Sequence, residues 1–282
     1  MKTFETEKKL TVAASPIGNL NEVSFRFMEA MENADIVLCE DTRITGNLIN
    51  LLNLENKPKL IKFEKFTEND KVNEAIRLIN EGNKVVLVSD AGYPLISDPG
   101  YTLVSACEEH NIAVEVINGP SSITHALVAS GLPTNTFMFL GFLGKSKQVR
   151  TNSLNRYRDL KTTFVILESV HRLQDCLKDL YSVLGDQKVA IARELTKKHE
   201  EIIRTTLSEA VNLDINLKGE FVLVVYNEPE EVPTEAVDLV AEIKTMLNNN
   251  LKTKEISFLL ADKYNLDSKE LYKKILEVKN DQ

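Results

Sequence analysis

Cysteine is scarce, and the three that occur, Cys39, Cys107 and Cys176, stand far apart and in no C-x-x-C pair. This excludes both a disulfide framework and a zinc knuckle and leaves buried thiols acting as small hydrophobes. Of the four histidines, His110, His125 and His199 show no metal-ligand spacing with each other or with His171, so no metal site is expected. No apolar run approaches the ~20 residues that span a bilayer. Met1 to Leu10 interleaves Lys and Glu without an apolar core, and the expectation is a cytoplasmic protein with no membrane partner. Also missing are the glycine loops that hold nucleotide phosphates: there is no G-x-G-x-x-G after the first strand and no G-x-x-x-x-G-K-[ST] anywhere. Dehydrogenase and NTPase readings are therefore disfavoured.

What is present is an ordinary globular composition, 43% hydrophobic and 27% charged over 282 residues, enough chain for two domains with their own cores. The most informative stretch is Ser89 to Gly100, Ser-Asp-Ala-Gly-Tyr-Pro-Leu-Ile-Ser-Asp-Pro-Gly, directly after the apolar run Val85 to Val88. A buried strand that empties into a loop of Gly, Pro and Asp has the form of a ligand loop. Taken alone it is equally an elaborate turn. The pattern recurs, however: Leu10 to Ala14 runs into Ser15-Pro16-Ile17-Gly18-Asn19-Leu20, Ile36 to Cys39 into Glu40-Asp41-Thr42-Arg43, and Ala113 to Ile117 into Asn118-Gly119-Pro120-Ser121-Ser122. Four such loops at four strand ends converge on one edge of a parallel sheet, where open α/β folds bind ligands.

These same strings, with Ala34-Asp35, Ser130-Gly131-Leu132, Phe139 to Leu143, Glu168-Ser169-Val170-His171-Arg172, Ala192 to Lys197 and Gly219-Glu220-Phe221, closely resemble the ribosomal RNA small subunit methyltransferase I family of the tetrapyrrole methylase superfamily. The resemblance spans nearly the whole chain. It implies two α/β domains with S-adenosylmethionine in the cleft between them, and methylation of the ribose 2′-hydroxyl of a decoding-centre cytidine in 16S rRNA, free or in the small ribosomal subunit. A homodimer is expected. The chain departs from the family pattern at Ser15, where threonine is usual, at Asn118 and Val170, where proline is usual, and at Ser122, commonly alanine. Losing proline at 170 frees the backbone before His171 and Arg172.

By resemblance, Ser15, Pro16, Asp90, Ala91, Gly92, Ser121, Ser122 and Phe142 line the cofactor pocket. Methyl transfer from a sulfonium is an in-line displacement that needs no metal and no nucleophilic side chain, mainly alignment. A 2′-hydroxyl would still benefit from a base or from cations around the developing alkoxide, for which the candidates are Glu40, Asp41, Arg43, Glu168 and His171. Asp41 with Arg43 is as often a loop brace as a catalytic pair. A cleft between the halves would bring Asp41 and Arg43 together with His171 and Arg172 around one flipped nucleotide.

The net charge of −8 hides an asymmetry: Phe142 to Arg204 holds 13 Lys and Arg against 8 Asp and Glu, leaving 21 against 34 elsewhere. Lys145, Lys147 and Arg150, with Arg156, Arg158, Lys161, Arg172, Arg193, Lys197 and Lys198, would form a phosphate-binding stripe; a solvated helix face is the plainer alternative.

The expected organisation is an N-terminal α/β domain over residues 1–134, a second α/β domain with a basic face over 135–228, and a linker and helical tail over 229–282. The second domain's strands are expected at Thr136–Leu143, Thr162–Glu168, Lys188–Ala192 and Glu220–Tyr226. The linker is the proline-broken Glu228 to Pro233, and Leu251 to Lys279 reads as two helices about a turn at Asn265-Leu266-Asp267. That tail is equally a helix-turn-helix module adding RNA contacts or a packed helical hairpin. Two other functions stay open: a methyltransferase of this fold acting on a tetrapyrrole or a protein, and a noncatalytic RNA-binding ribosome-assembly factor.

Overall fold

The computed structural model describes residues 8–64, 68–213, 219–229, 239–249, 251–264 and 266–280. Most of the expected linker, Glu230 to Pro233, and the turn residue Asn265 lie outside them, as do Met1 to Glu7. The chain divides into two compact units, Met1–Pro229 and Glu230–Gln282.

The first unit contains two five-stranded sheets. In the first, β1 (Lys9–Ala13), β2 (Ile36–Cys39), β3 (Lys59–Lys62), β4 (Val85–Leu87) and β5 (Ala113–Ile117) lie in the order β3-β2-β4-β1-β5, every pair parallel. Parallel strands need crossovers, supplied by α1 (Phe25–Glu32), α2 (Thr42–Leu51), α3 (Glu68–Asn80) and α4 (Tyr101–Glu109). Successive side chains point to opposite faces. Val37 and Val86 thus pack with Phe27 and Met31 on one face, while Leu10, Leu38 and Leu87 pack with Ile79 and Leu103 on the other. Both faces of the central strands β2, β4 and β1 are covered, which is why these read as apolar runs, whereas the edge strands β3 and β5 are partly exposed.

The second sheet holds β6 (Phe137–Gly141), β7 (Thr162–Ser169), β8 (Lys188–Arg193), β9 (Glu201–Thr206) and β10 (Glu220–Asn227) in the order β6-β7-β10-β8-β9. Only β6–β7 is parallel. Between the sheets in sequence comes α5 (Ser122–Ser130). Its Ala126 and Leu127 pack with Val165, Ala190, Val222 and Val224 of the second sheet. The helix that follows the last parallel strand therefore covers the neighbouring sheet, and Thr163 ties the crossing by donating its hydroxyl to the Pro133 carbonyl at 2.6 Å. The other face of the second sheet is covered by α6 (Lys147–Asn155), α7 (Leu173–Leu184) and the short α8 (Leu207–Ala210), around Leu154, Phe164, Leu177 and Phe221.

Among the described residues the second unit is three helices, α9 (Leu239–Asn248), α10 (Thr253–Tyr264) and α11 (Ser268–Asn280). They close on Ile243, Ile256, Leu260, Leu271 and Ile275. Asp267 starts α11, its Oδ1 accepting the backbone N–H groups of Lys269 and Glu270 at 2.8 and 2.9 Å. Among the described residues no helix is long and apolar enough to cross a membrane.

Candidate functional site

All five strands of the first sheet run the same way, so the loops after β1, β2, β4 and β5 rise on one edge, and they are fastened to one another. Ser15 and Gly92 exchange backbone hydrogen bonds, 2.8 and 3.1 Å, and the buried Ser15 hydroxyl donates to the Ser89 carbonyl at 2.7 Å. Serine keeps the donor that threonine would supply there. The Asp41 N–H donates to Asp90 Oδ1 at 3.2 Å, and the Gly119 N–H to the Tyr93 hydroxyl at 3.1 Å. A side chain at Gly119 would stand 2.9 Å from the Ala14 carbonyl oxygen, so glycine there permits the β5 loop to press against β1. Within the long loop Leu95 and Ser97 hold left-handed φ angles of +71° and +72°. Non-glycine residues adopt these at a cost, and they cluster at functional sites.

Between this edge and the second sheet lies a cavity of about 440 Å³, within the ~300–1,000 Å³ range of small-molecule sites. One wall is acidic: Glu40 after β2, and Asp90 and Asp98 from the β4 loop. Burial pushes the Asp98 carboxyl up to about 6, the charges of Glu40 and Asp90 adding to it against a hydrogen bond from Ser89. Glu40 is raised by burial and then by the charges of Asp90, Glu64 and Asp41. Asp90 is raised mainly by burial. Three mutually repelling carboxylates in a partly dry cavity favour a cationic occupant. Ser121 and Ser122 line the cavity at the start of α5, and the Ser121 side chain does not cap that helix. The positive end of the α5 dipole thus lies at the cavity, with no Ser121 side-chain cap on its first N–H groups.

A family model for tetrapyrrole (corrin/porphyrin) methylases matches residues 9–211. Curated relatives called ribosomal RNA small subunit methyltransferase I include one from Halalkalibacterium halodurans, 38% identical over 93% of both chains. Another, from Mycoplasma genitalium, is 39% identical over 94% of this chain and 97% of its own. The chain belongs to the ribosomal RNA small subunit methyltransferase I branch of the tetrapyrrole methylases. Solved structures of similar fold include a diphthine synthase, TM-score 0.60 at 15% identity over 77% of this chain and 88% of that one. A uroporphyrin-III-C-methyltransferase from Thermus thermophilus gives TM-score 0.57 at 19% identity over 78% and 94%. These show the fold.

In this tetrapyrrole methylase the expected cofactor and catalytic residues fall into four groups. Asp90, Ala91, Gly92, Ser121, Ser122, Phe142 and Glu168 line the cavity, with Glu40. Ser15 and Pro16 are buried just behind it, and Ile17 reaches the wall in their place. Asp41 and Arg43 are engaged with each other instead: Asp41 caps α2, its Oδ1 accepting the Arg43 N–H at 2.8 Å and Nε at 3.0 Å, and Arg43 Nη2 lies 2.5 Å from Oδ2. Those bonds hold the Asp41 carboxyl well below the usual carboxylate range, the opposite of a base poised near neutrality. His171 is exposed, and its neighbour Val170 lines the cavity instead.

The basic stripe needs two corrections. Arg150 is 4% exposed, its guanidinium 2.7 Å from Asp179 Oδ2 and donating to the Lys145 carbonyl. It lies four residues before the buried Leu154 on the inner face of α6. Arg193 is likewise buried, with Nε 3.3 Å from Glu201. Lys197 bridges Glu194 and Glu220 at 3.0 and 3.1 Å, whereas Lys145 and Lys147 are exposed. Arg172 is bound to Glu168. Lining residues left without an assigned binding role by the sequence include Tyr93, Ser97, Glu220 and Asp98, the last at the far end of the Ser89 to Gly100 loop. Among the described residues no group of His, Cys, Asp and Glu could hold a metal ion.

Proposed function

We propose that this protein transfers the methyl group of S-adenosylmethionine to the ribose 2′-hydroxyl of a decoding-centre cytidine in 16S rRNA, in the cytoplasm. The observation that carries the cofactor assignment is the acidic wall of Glu40, Asp90 and Asp98 at the strand-end cavity. S-adenosylmethionine is a sulfonium with an ammonium group, a carboxylate and ribose hydroxyls. Carboxylates match the cationic and hydroxyl groups, and the open start of α5 matches the carboxylate. The absence of a phosphate-binding glycine motif suits a cofactor without phosphate. The rRNA assignment rests on relatives of that name at 35–39% identity along nearly the whole chain, whereas the corrin and porphyrin enzymes resemble it in fold at 19%.

When bound, the cofactor would supply an electrophilic methyl group. The protein's part is to hold the acceptor oxygen in line with it and keep the site dry. Glu40, Asp90 and Asp98 would anchor the cationic end, and the backbone at Gly92 would lie along the ligand, where a glycine with φ +70° leaves room for close approach. None of Asp41, Glu168 or His171 presents a free carboxylate or imidazole to this cavity, so alignment is the main contribution we assign.

The test is methyl transfer from labelled S-adenosylmethionine to small ribosomal subunits prepared from cells lacking this protein, with naked 16S rRNA and a porphyrin precursor as parallel acceptors. Label in a ribose-methylated cytidine supports the reading. Label in the porphyrin, or in no acceptor despite cofactor binding, overturns it.

A further inference from the structure

We propose that Phe142 and Arg172 form the platform that receives the acceptor nucleotide, base on the aromatic ring and phosphate on the guanidinium, and that Glu168 positions Arg172. The inference rests on the RNA methyltransferase reading above and concerns the part of the cavity lined from the second sheet, where Phe142 lines it and Arg172 stands beside Phe142.

Phe142 is 53% exposed, a large apolar surface left in water at the edge of a cavity. The chain holds it there. Gly141 turns with φ +59° where the β6–β7 pairing shifts register, and the next residue, Leu143, is anchored in the core. Arg172 stands over the ring, Cζ 6.0 Å from its centroid. It is fixed from behind: Nε and Nη2 lie 2.9 and 2.7 Å from Glu168 Oε1, which also accepts the Ser169 N–H at 2.7 Å. The Glu168 side chain is fully buried and that of Arg172 is 28% exposed, so the outer part of the guanidinium remains free to meet an anion.

The same geometry removes Glu168 from proton abstraction. One of its oxygens is saturated by Arg172 and Ser169. The other is buried without a hydrogen-bond partner, and burial, with the Glu168 charge beside it, pushes the Cys176 thiol up. A buried carboxylate whose engaged oxygen is held by Arg172 and Ser169 acts through the arginine it orients. The two sheets thus bring different groups to the cavity. Carboxylates on the first sheet suit a cation, while an aromatic face beside a held guanidinium suits a nucleotide.

The experiment measures four quantities for the parent, Phe142→Ala, Phe142→Trp, Glu168→Gln, Arg172→Ala and the Glu168→Gln/Arg172→Ala double variant. They are affinity for small ribosomal subunits against salt, calorimetric affinity for S-adenosylmethionine, single-turnover rate and melting temperature. Phe142→Ala should weaken subunit binding by about ten- to a hundredfold, without altering the salt slope or cofactor affinity, and Phe142→Trp should restore it. Glu168→Gln and Arg172→Ala should each reduce the salt slope by about one, and the double variant should bind no worse than Arg172→Ala alone. If Phe142→Ala weakens the cofactor and spares the subunit, or spares both, the platform is wrong. If Glu168→Gln binds normally and loses the single-turnover rate, Glu168 is catalytic and its positioning role is wrong. A parent that neither binds nor methylates the subunit overturns the functional reading itself, and is seen before any variant. Phe142 is exposed, so its variants carry the test even where Glu168→Gln fails to fold.

Discussion

Replacing Asp98 by asparagine should stabilise the ligand-free protein at neutral and alkaline pH while weakening its hold on a cationic ligand. Asp98 titrates at about 6 against an ordinary 3.8, mainly through burial. About two units at ~1.4 kcal/mol each make its ionised form cost about 3 kcal/mol at most. The sign follows from linkage: a raised carboxyl contributes stability that is fully present below about 4 and lost as pH climbs through 6. The asparagine variant has no such loss, and its amide oxygen can still accept from Ser89. At pH 8 it should melt up to about 10 °C above the parent, at ~2–4 °C per kcal/mol for a unit of this size, and the two should converge by pH 4. Thermal melts from pH 4 to 8 read this directly. In the same series S-adenosylmethionine should bind the variant more weakly than the parent at pH 8, and S-adenosylhomocysteine, without the sulfonium charge, should lose less. A melting difference independent of pH, or a parent more stable than the variant at pH 8, would refute the assignment of Asp98 as a desolvated carboxylate.

Gly92→Val forces a branched side chain onto a φ of +70° with Ile17 Cγ2 3.5 Å from its Cβ; cofactor affinity measured by calorimetry on folded protein should fall at least tenfold, and an unchanged value would remove this loop from the site. Charge reversal at the exposed Lys145 and Lys147 should lower subunit affinity and flatten its salt dependence without touching cofactor binding; an identical salt slope would make them ordinary solvated charges. Arg150→Met behaves differently, since it strands Asp179 in the core: a loss of about 3–5 kcal/mol in denaturant melts is expected, and a change below about 1 kcal/mol would contradict the buried pair. Asp41→Ala removes the cap of α2, so melting temperature should drop by the equivalent of about 1 kcal/mol; a lowered single-turnover rate at unchanged stability would instead return Asp41 to catalysis.

The edge of the first sheet was legible because β1, β2 and β4 are buried apolar runs and they, like the more exposed β5, stop abruptly at loops of glycine, proline, serine and aspartate. Strand ends and loop chemistry are both written locally. The second sheet was less so. Glu201-Ile-Ile-Arg-Thr-Thr forms the edge strand β9, half exposed and without alternation, and carries little local signal. What sequence could not order was desolvation: of the loop carboxylates, Asp41 is held low by Arg43 while Asp98 is raised by burial, and only the three-dimensional arrangement separates them. Arg150 had a readable clue, its four-residue spacing from Leu154, overshadowed by the nearby lysines. The packing of α5 against the neighbouring sheet is likewise a tertiary choice that helical periodicity does not announce.

The central claim is tested most directly by mapping ribose 2′-O-methylation along 16S rRNA from cells with and without this protein. One decoding-centre cytidine should lose its methyl group without the protein, and the intact gene, but not one encoding Gly92→Val, should restore it. Unchanged methylation at every ribose of 16S rRNA would contradict it.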